Sequence, residues 1–311
     1  MRRLILVIAA LAMVGGSAII AQDAPHFTAH SDLVVLDVAV TDGRGGFVGG
    51  LPQQSFHVFE EGRPQDVSFF AEQDAPATIG LLIDSSGSMV ENRSRVIAAI
   101  ETFALASHPE DEFLPLAFNE RVAAVLPPDR RFTSDASELR TALTRNLSAY
   151  GRTAFHDALA VALEQLSHGT HERRALIILS DGGDNASRRS FDEVLHQVQA
   201  SNVVIYSVAL LDPLSRDQNP KALRRLAEAT GGLAFEPSRV SAVGGVLGTI
   251  AADIRSRYTL AYAPPESNSE GRLRRVHVTV HGPTGGKLNV RTRTGYIPAA
   301  SATTAEGSGS R

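Results

Sequence analysis

Cysteine is absent from the 311 residues. The fold therefore rests on its core, and on any bound metal, rather than on disulfides, and no cysteine is available for lipid attachment. A dominant charge of one sign is missing as well. Lys and Arg number 30 against 34 Asp and Glu, a net charge of −4, which gives no basic field for nucleic acid. Phosphate-cradling motifs are lacking: there is no Gly-x-x-x-x-Gly-Lys-Ser/Thr loop and no Gly-x-Gly-x-x-Gly after a strand-like run. A Gly-x-Ser-x-Gly elbow, the signature of a hydrolase nucleophile, is also missing. Long apolar runs are confined to the amino terminus, so no later stretch is long enough to span a membrane.

That amino-terminal run has the build of a secretory signal. Arg2 and Arg3 precede an apolar stretch over 4–20, and small residues lead to Ala21, after which cleavage is expected. An uncleaved anchor is the alternative, because the run of about 17 residues sits at the lower edge of a spanning helix. An exported chain without cysteine fits a bacterial secreted or periplasmic protein better than an animal extracellular one.

A hydrophobic fraction of 43% supports a real core, and the length suits one large or two ordinary domains. Val34, Leu36, Val38 and Val40 alternate with other residues, which predicts a strand with one buried face. Residues 56–59 and 67–70, separated by turn residues, read as a hairpin. From residue 78 the pattern changes. Strand-like runs at 79–83, 113–118, 175–179, 203–210 and 233–236 alternate with helix-like runs at 93–107, 136–147, 154–166, 191–200, 221–229 and 240–257. Strands joined by helical crossovers predict a mostly parallel, doubly wound α/β sheet. Gly244 and Gly248, four apart in the last helix, predict close packing against a neighbour. After Tyr258 the alternation of a β pattern returns. The economical organisation is a signal at 1–21, an α/β domain at 76–257, and a small β-sandwich-like domain assembled from 22–75 and 258–298. Residues 299–311, rich in Ser, Thr, Gly and Ala, read as a disordered tail.

Chemistry concentrates at three places in the α/β segment. The run 79–83 delivers Asp84-Ser85-Ser86-Gly87-Ser88. Thr153 opens a helix-like stretch, and the run 175–179 delivers Ser180-Asp181-Gly182. In an open α/β sheet ligands bind outside the carboxyl ends of the strands, so these side chains converge on one edge. Two carboxylates and three hydroxyls are hard oxygen donors, suited to Mg²⁺, Mn²⁺ or Ca²⁺.

The pattern Asp-x-Ser-x-Ser, a distant Thr and a later Asp-Gly resembles the metal-ion-dependent adhesion site of von Willebrand factor A (VWA) domains, over roughly residues 76–257. Both flanks are similar to exported bacterial VWA-related proteins: Val40-Thr41-Asp42, Phe56-His57-Val58-Phe59-Glu60 and Gly62-Arg63-Pro64-Gln65 on one side, Tyr258-Thr259-Leu260-Ala261-Tyr262 and Arg293-Thr294-Gly295-Tyr296 on the other. The resemblance implies a Rossmann-like fold with Asp84, Ser86, Ser88, Thr153 and Asp181 as metal ligands. It also implies a site that keeps one exchangeable position for a carboxylate of a protein partner, and hence adhesion or another protein–protein role. Where the family often has Gly-Gly-Thr, this chain has Gly151-Arg152-Thr153; an Arg152 turned outward would attract an acidic partner. Two other functions stay open: a structural envelope scaffold stabilised by the metal, and a metal-dependent enzyme subunit. The second lacks an evident base, nucleophile or cofactor motif, so no enzymatic activity is expected. His168 and His171 read as solvated loop residues, Asp157 as support for the Thr153 loop, and Asp184-Asn185 as either turn formers or part of the rim.

Overall fold

The structure, a computed structural model, describes residues 33–298 apart from 73, 90–91, 148–149, 212–216, 266–270 and 283–286, and apart from the side chain of Ser88. The expected signal at 1–21 and tail at 299–311 lie outside the described residues.

The first strands are β1 (Val34–Thr41), β2 (Phe56–Glu60), β3 (Arg63–Gln65) and β4 (Val67–Glu72). The expected hairpin between 56–59 and 67–70 is replaced by a tighter one, β2 with β3. Its two-residue loop is Glu61-Gly62, with φ of 48° and 76°. Two successive positive φ values are what a turn matched to the strand twist requires. Pro64 is tolerated because β3 is an edge strand. Strand β4 leaves for a different sheet.

The central sheet is built from β5 (Ala77–Asp84), β6 (Glu112–Phe118), β7 (Val122–Ala124), β8 (Arg173–Ser180), β9 (Val203–Ala209) and β10 (Ala234–Phe235). Their order is β10-β9-β8-β5-β6-β7, parallel throughout except for β7, which runs antiparallel to β6. Every residue of β5, β6 and β9 is buried, which is why these strands read as continuous apolar runs rather than alternations. Three helices, α1 (Arg93–Ala106), α2 (Ala136–Asn146) and α6 (Val243–Arg255), share one apolar cluster with the sheet, and α3 (Phe155–Leu166), α4 (Phe191–Ala200) and α5 (Pro220–Thr230) share the other. Helix ends follow local chemistry. Asp135 caps α2, Ser190 and Glu193 form a capping box on α4, and Asn219 caps α5 ahead of Pro220. Gly231 ends α5 at φ 75°, where an added Cβ would stand 2.3 Å from the Thr292 backbone. The expected close packing at Gly244 and Gly248 is not found: both look onto open space, and Gly248 is exposed.

The chain closes with β11 (Tyr258–Tyr262), β12 (Arg274–Val280), β13 (Asn289–Arg291) and β14 (Gly295–Tyr296). Two four-stranded antiparallel sheets result, ordered β13-β1-β11-β4 and β14-β12-β2-β3. Each takes two strands from before the central sheet and two from after it. Between them lies one apolar cluster that includes Leu36, Val38, Phe56, Val58, Tyr258, Leu260 and Val278. The fold is thus an α/β, doubly wound, mostly parallel sheet inserted between the two halves of a small β-sandwich.

Buried polar groups fasten these layers. Glu60 accepts hydrogen bonds from Tyr262 at 2.6 Å and Tyr296 at 3.1 Å and pairs with Arg274 at 2.8 Å, inside the sandwich. Asp253 of α6 accepts from Tyr206 of β9 at 2.6 Å, from Arg257 at 2.8 Å, and from Arg291 of β13. Arg257, 2% exposed, also donates to the Gly231 carbonyl at 2.7 Å. Its guanidinium beside Asp253 helps hold the Asp253 carboxyl, despite burial, down at about 2.

Candidate functional site

Asp84 is the last residue of β5, at the carboxyl edge of the sheet, and is 1% exposed. One carboxylate oxygen accepts the Ser86 N–H at 2.8 Å, and the other accepts the Ser180 hydroxyl from the end of β8, also at 2.8 Å. Burial pushes the Asp84 carboxyl above its usual range, and the charge of Asp181 acts in the same direction. Asp181 follows β8 directly and is buried; one of its carboxylate oxygens accepts the Gly183 N–H at 2.9 Å. Gly182 sits at φ 78° with room for no side chain: an added Cβ would stand 2.5 Å from the Asn219 carbonyl oxygen. This close approach sets the turn that aims Asp181.

Loop backbone laces the edge together. The Ser85 N–H and hydroxyl both donate to the Phe118 carbonyl, at 2.7 and 2.9 Å. The Tyr150 N–H donates to the Ser85 carbonyl at 2.9 Å, and the Ala154 N–H to the Asn119 carbonyl at 2.7 Å. Thr153, buried at the mouth of α3, gives its N–H to the Asn185 side-chain oxygen at 3.0 Å. Its carbonyl accepts the N–H groups of Asn185 and Ala186 at 2.9 and 3.0 Å. Asp84, Ser86, Thr153 and Asp181 are all buried and come from three segments that these hydrogen bonds join at the carboxyl edge of the sheet. Ser88 lies in a 3-10 turn, Gly87–Met89, directly after Ser86; its side chain lies outside the described residues.

Several supporting residues carry more than their sequence signals indicate. Ser180 is a polar residue at the end of an apolar strand and binds Asp84. Asn185 proves to be the clamp on Thr153. Asp184 accepts the N–H of His156 at 2.9 Å and of Ser187 at 3.1 Å, so the Asp184-Asn185 pair ties the loop after β8 to the start of α3. Asp157 supports that same loop rather than the Thr153 loop: its carboxylate accepts the N–H of Arg188 at 2.9 Å and the Arg189 guanidinium at 3.1 Å. Arg152 is exposed and its guanidinium lies on the Asn185 carbonyl. The His171 ring meets the Glu110 carbonyl at 2.9 Å, while His168 is exposed.

The donor set fits a hard divalent cation. It consists of carboxylate and hydroxyl oxygens, and its two buried acids favour a positive charge between them. Among the described residues no group of three or more His, Cys, Asp or Glu stands where it could hold a metal ion.

The fold is a doubly wound α/β domain with this edge at the carboxyl ends of its strands. The sequence profile of the von Willebrand factor type A domain matches residues 78–249, more than half of the chain, and the chain belongs to that family. Among solved structures, one described as von Willebrand factor type A from Catenulispora acidiphila is 15% identical, with 87% of this chain and 75% of that one covered at a TM-score of 0.51. An aerotolerance-related membrane protein from Bacteroides fragilis NCTC 9343 is 14% identical, covering 57% of this chain and 99% of its own, at a TM-score of 0.45. The conserved hypothetical protein BatB from Bacteroides thetaiotaomicron is 14% identical, covering 58% and 98%, at 0.44. At these identities the likeness is one of fold. No curated protein matches the chain.

Proposed function

We propose that this chain is an exported protein-binding module whose docking point is a divalent cation, Mg²⁺ or Mn²⁺, held by Asp84, Ser86, Ser88, Thr153 and Asp181. The observation that carries this reading is the pair of buried acids, Asp84 and Asp181, set among hydroxyls at the carboxyl edge of the sheet. The bound ion supplies a position that a partner's carboxylate can occupy. The chain's own groups do the rest. Ser180 and the Ser86 N–H fix the Asp84 carboxylate, the Gly182 turn aims Asp181, and Asn185 fixes the backbone of Thr153. Exposed Arg152 beside Thr153 favours an acidic partner.

The role is binding rather than catalysis, in keeping with a sequence that offers no nucleophile–base motif. Export is supported by the basic-then-apolar start over 1–21, and no helix among the described residues is long and apolar enough to cross a membrane. The test is capture of partners from the native host with Mg²⁺ and with EDTA, using the wild type and the Ser86→Ala/Ser88→Ala variant. The proposal expects a partner held only with Mg²⁺ and only by the wild type, released when its key acid is changed to the amide. A partner held equally in EDTA and by the double variant would contradict it.

A further inference from the structure

We infer that His57 and His281 form a second, open metal site on the solvent face of the β14-β12-β2-β3 sheet, for a borderline divalent transition-metal ion such as Zn²⁺. Strands β2 and β12 pair antiparallel, with His57 opposite Thr279 and Phe56 opposite Val280. His281 directly follows β12, and its N–H donates to the Ser55 carbonyl at 3.0 Å, which extends the pairing by one more bond. Strand alternation therefore puts His57 and His281 on the same side of the sheet, and both are exposed. Their ring centroids lie 5.1 Å apart at an interplanar angle of 89°.

That spacing has a chemical meaning. Two imidazoles bound through nitrogen to one tetrahedral ion at about 2.0–2.1 Å have ring centres roughly 5 Å apart. The paired backbone thus holds the two ring centres at the separation a shared ion requires. Imidazole nitrogen suits Zn²⁺, Cu²⁺ and Ni²⁺, whereas the oxygen edge of the central sheet suits Mg²⁺ and Mn²⁺. The two sites are therefore separable by metal type. Among the described residues no third His, Cys, Asp or Glu joins this pair. His277 is exposed on the same side, diagonal to His57 across the strand pair, roughly 7–8 Å away by strand geometry, and serves as the control.

The experiment is a Zn²⁺ titration of the full chain by calorimetry, in excess Mg²⁺ so that the oxygen site is saturated. The site predicts one Zn²⁺ whose affinity falls about tenfold or more in His57→Ala and, separately, in His281→Ala, since each removes one of two protein ligands. It predicts that His277→Ala binds within about twofold of the wild type, and that Zn²⁺ shifts the ring proton resonances of His57 and His281 before those of other histidines. Unchanged Zn²⁺ binding in His57→Ala, absence of Zn²⁺ binding to the wild type, or a loss in His277→Ala as large as in His57→Ala would each overturn the assignment.

Discussion

Replacing Asp253 with alanine removes the acceptor that three segments share. Tyr206 reaches it from β9, Arg257 from the link between α6 and β11, and Arg291 from β13. Arg257, at 2% exposure, keeps the Gly231 carbonyl at 2.7 Å but loses its carboxylate partner. Breaking a buried pair by removing one member costs about 3–5 kcal/mol, because the other charge stays buried without compensation. The Tyr206 hydroxyl, deprived of its acceptor, adds to the loss. For a domain of this size such a change corresponds to a fall in Tm of roughly 10 °C. Urea unfolding followed by circular dichroism reads it directly. Replacing Arg257 with methionine in the same chain should recover part of the loss, because an apolar side chain of similar length removes the stranded Arg257 charge and leaves only half-buried Arg291 without its carboxylate. The pH dependence has a definite sign. The Asp253 carboxyl is held down at about 2 from an ordinary 3.8, so its contribution is fully present above about pH 4 and fades as pH falls toward 2. That contribution is about 2 kcal/mol. A loss under about 1 kcal/mol in Asp253→Ala, or no recovery in the double variant, would refute the reasoning that this ion cluster fastens sandwich to sheet.

Three further outcomes are expected. Gly182→Ala, which forces a side chain into positive φ and against the Asn219 carbonyl, should destabilise by more than about 1 kcal/mol and weaken Mg²⁺ binding, as read by thermal melts and calorimetry. Asn185→Ala, which takes away the acceptor for the Thr153 N–H, should lower Mg²⁺ affinity about tenfold with little change in melting temperature. Glu60→Gln, which leaves buried Arg274 without its carboxylate, should cost about 3 kcal/mol in urea unfolding and make the strands from both chain ends more protease-sensitive together.

The central sheet was legible because its strands are buried on both faces and its helices have long, capped, periodic patterns. The run 191–200 coincides with α4, whose Ser190 and Glu193 capping box announces its start. Strand β7 was not legible: three residues, at an edge, carry too little periodicity. The partner of segment 67–70 is not legible, because alternation reports burial and not which strand lies alongside; the two-residue turn at Glu61-Gly62 sets the pairing of β2 with β3 instead. Gly244 and Gly248 misled because spacing on a helix does not say whether a neighbour is present. In the site, residue types that must bear charge or hydroxyl stood out in sequence. The particular partners of Asn185 and Ser180 did not, because they depend on contacts between segments 32 and 96 residues apart.

The most direct test of the account is Mg²⁺ or Mn²⁺ calorimetry on the wild type, Asp84→Ala and Asp181→Ala, with circular dichroism to confirm that each variant folds. One hard divalent ion per chain is expected in the wild type, with a steep loss of affinity in both variants and the α/β spectrum retained. Equal binding in all three folded proteins, or no binding in the wild type, would contradict it.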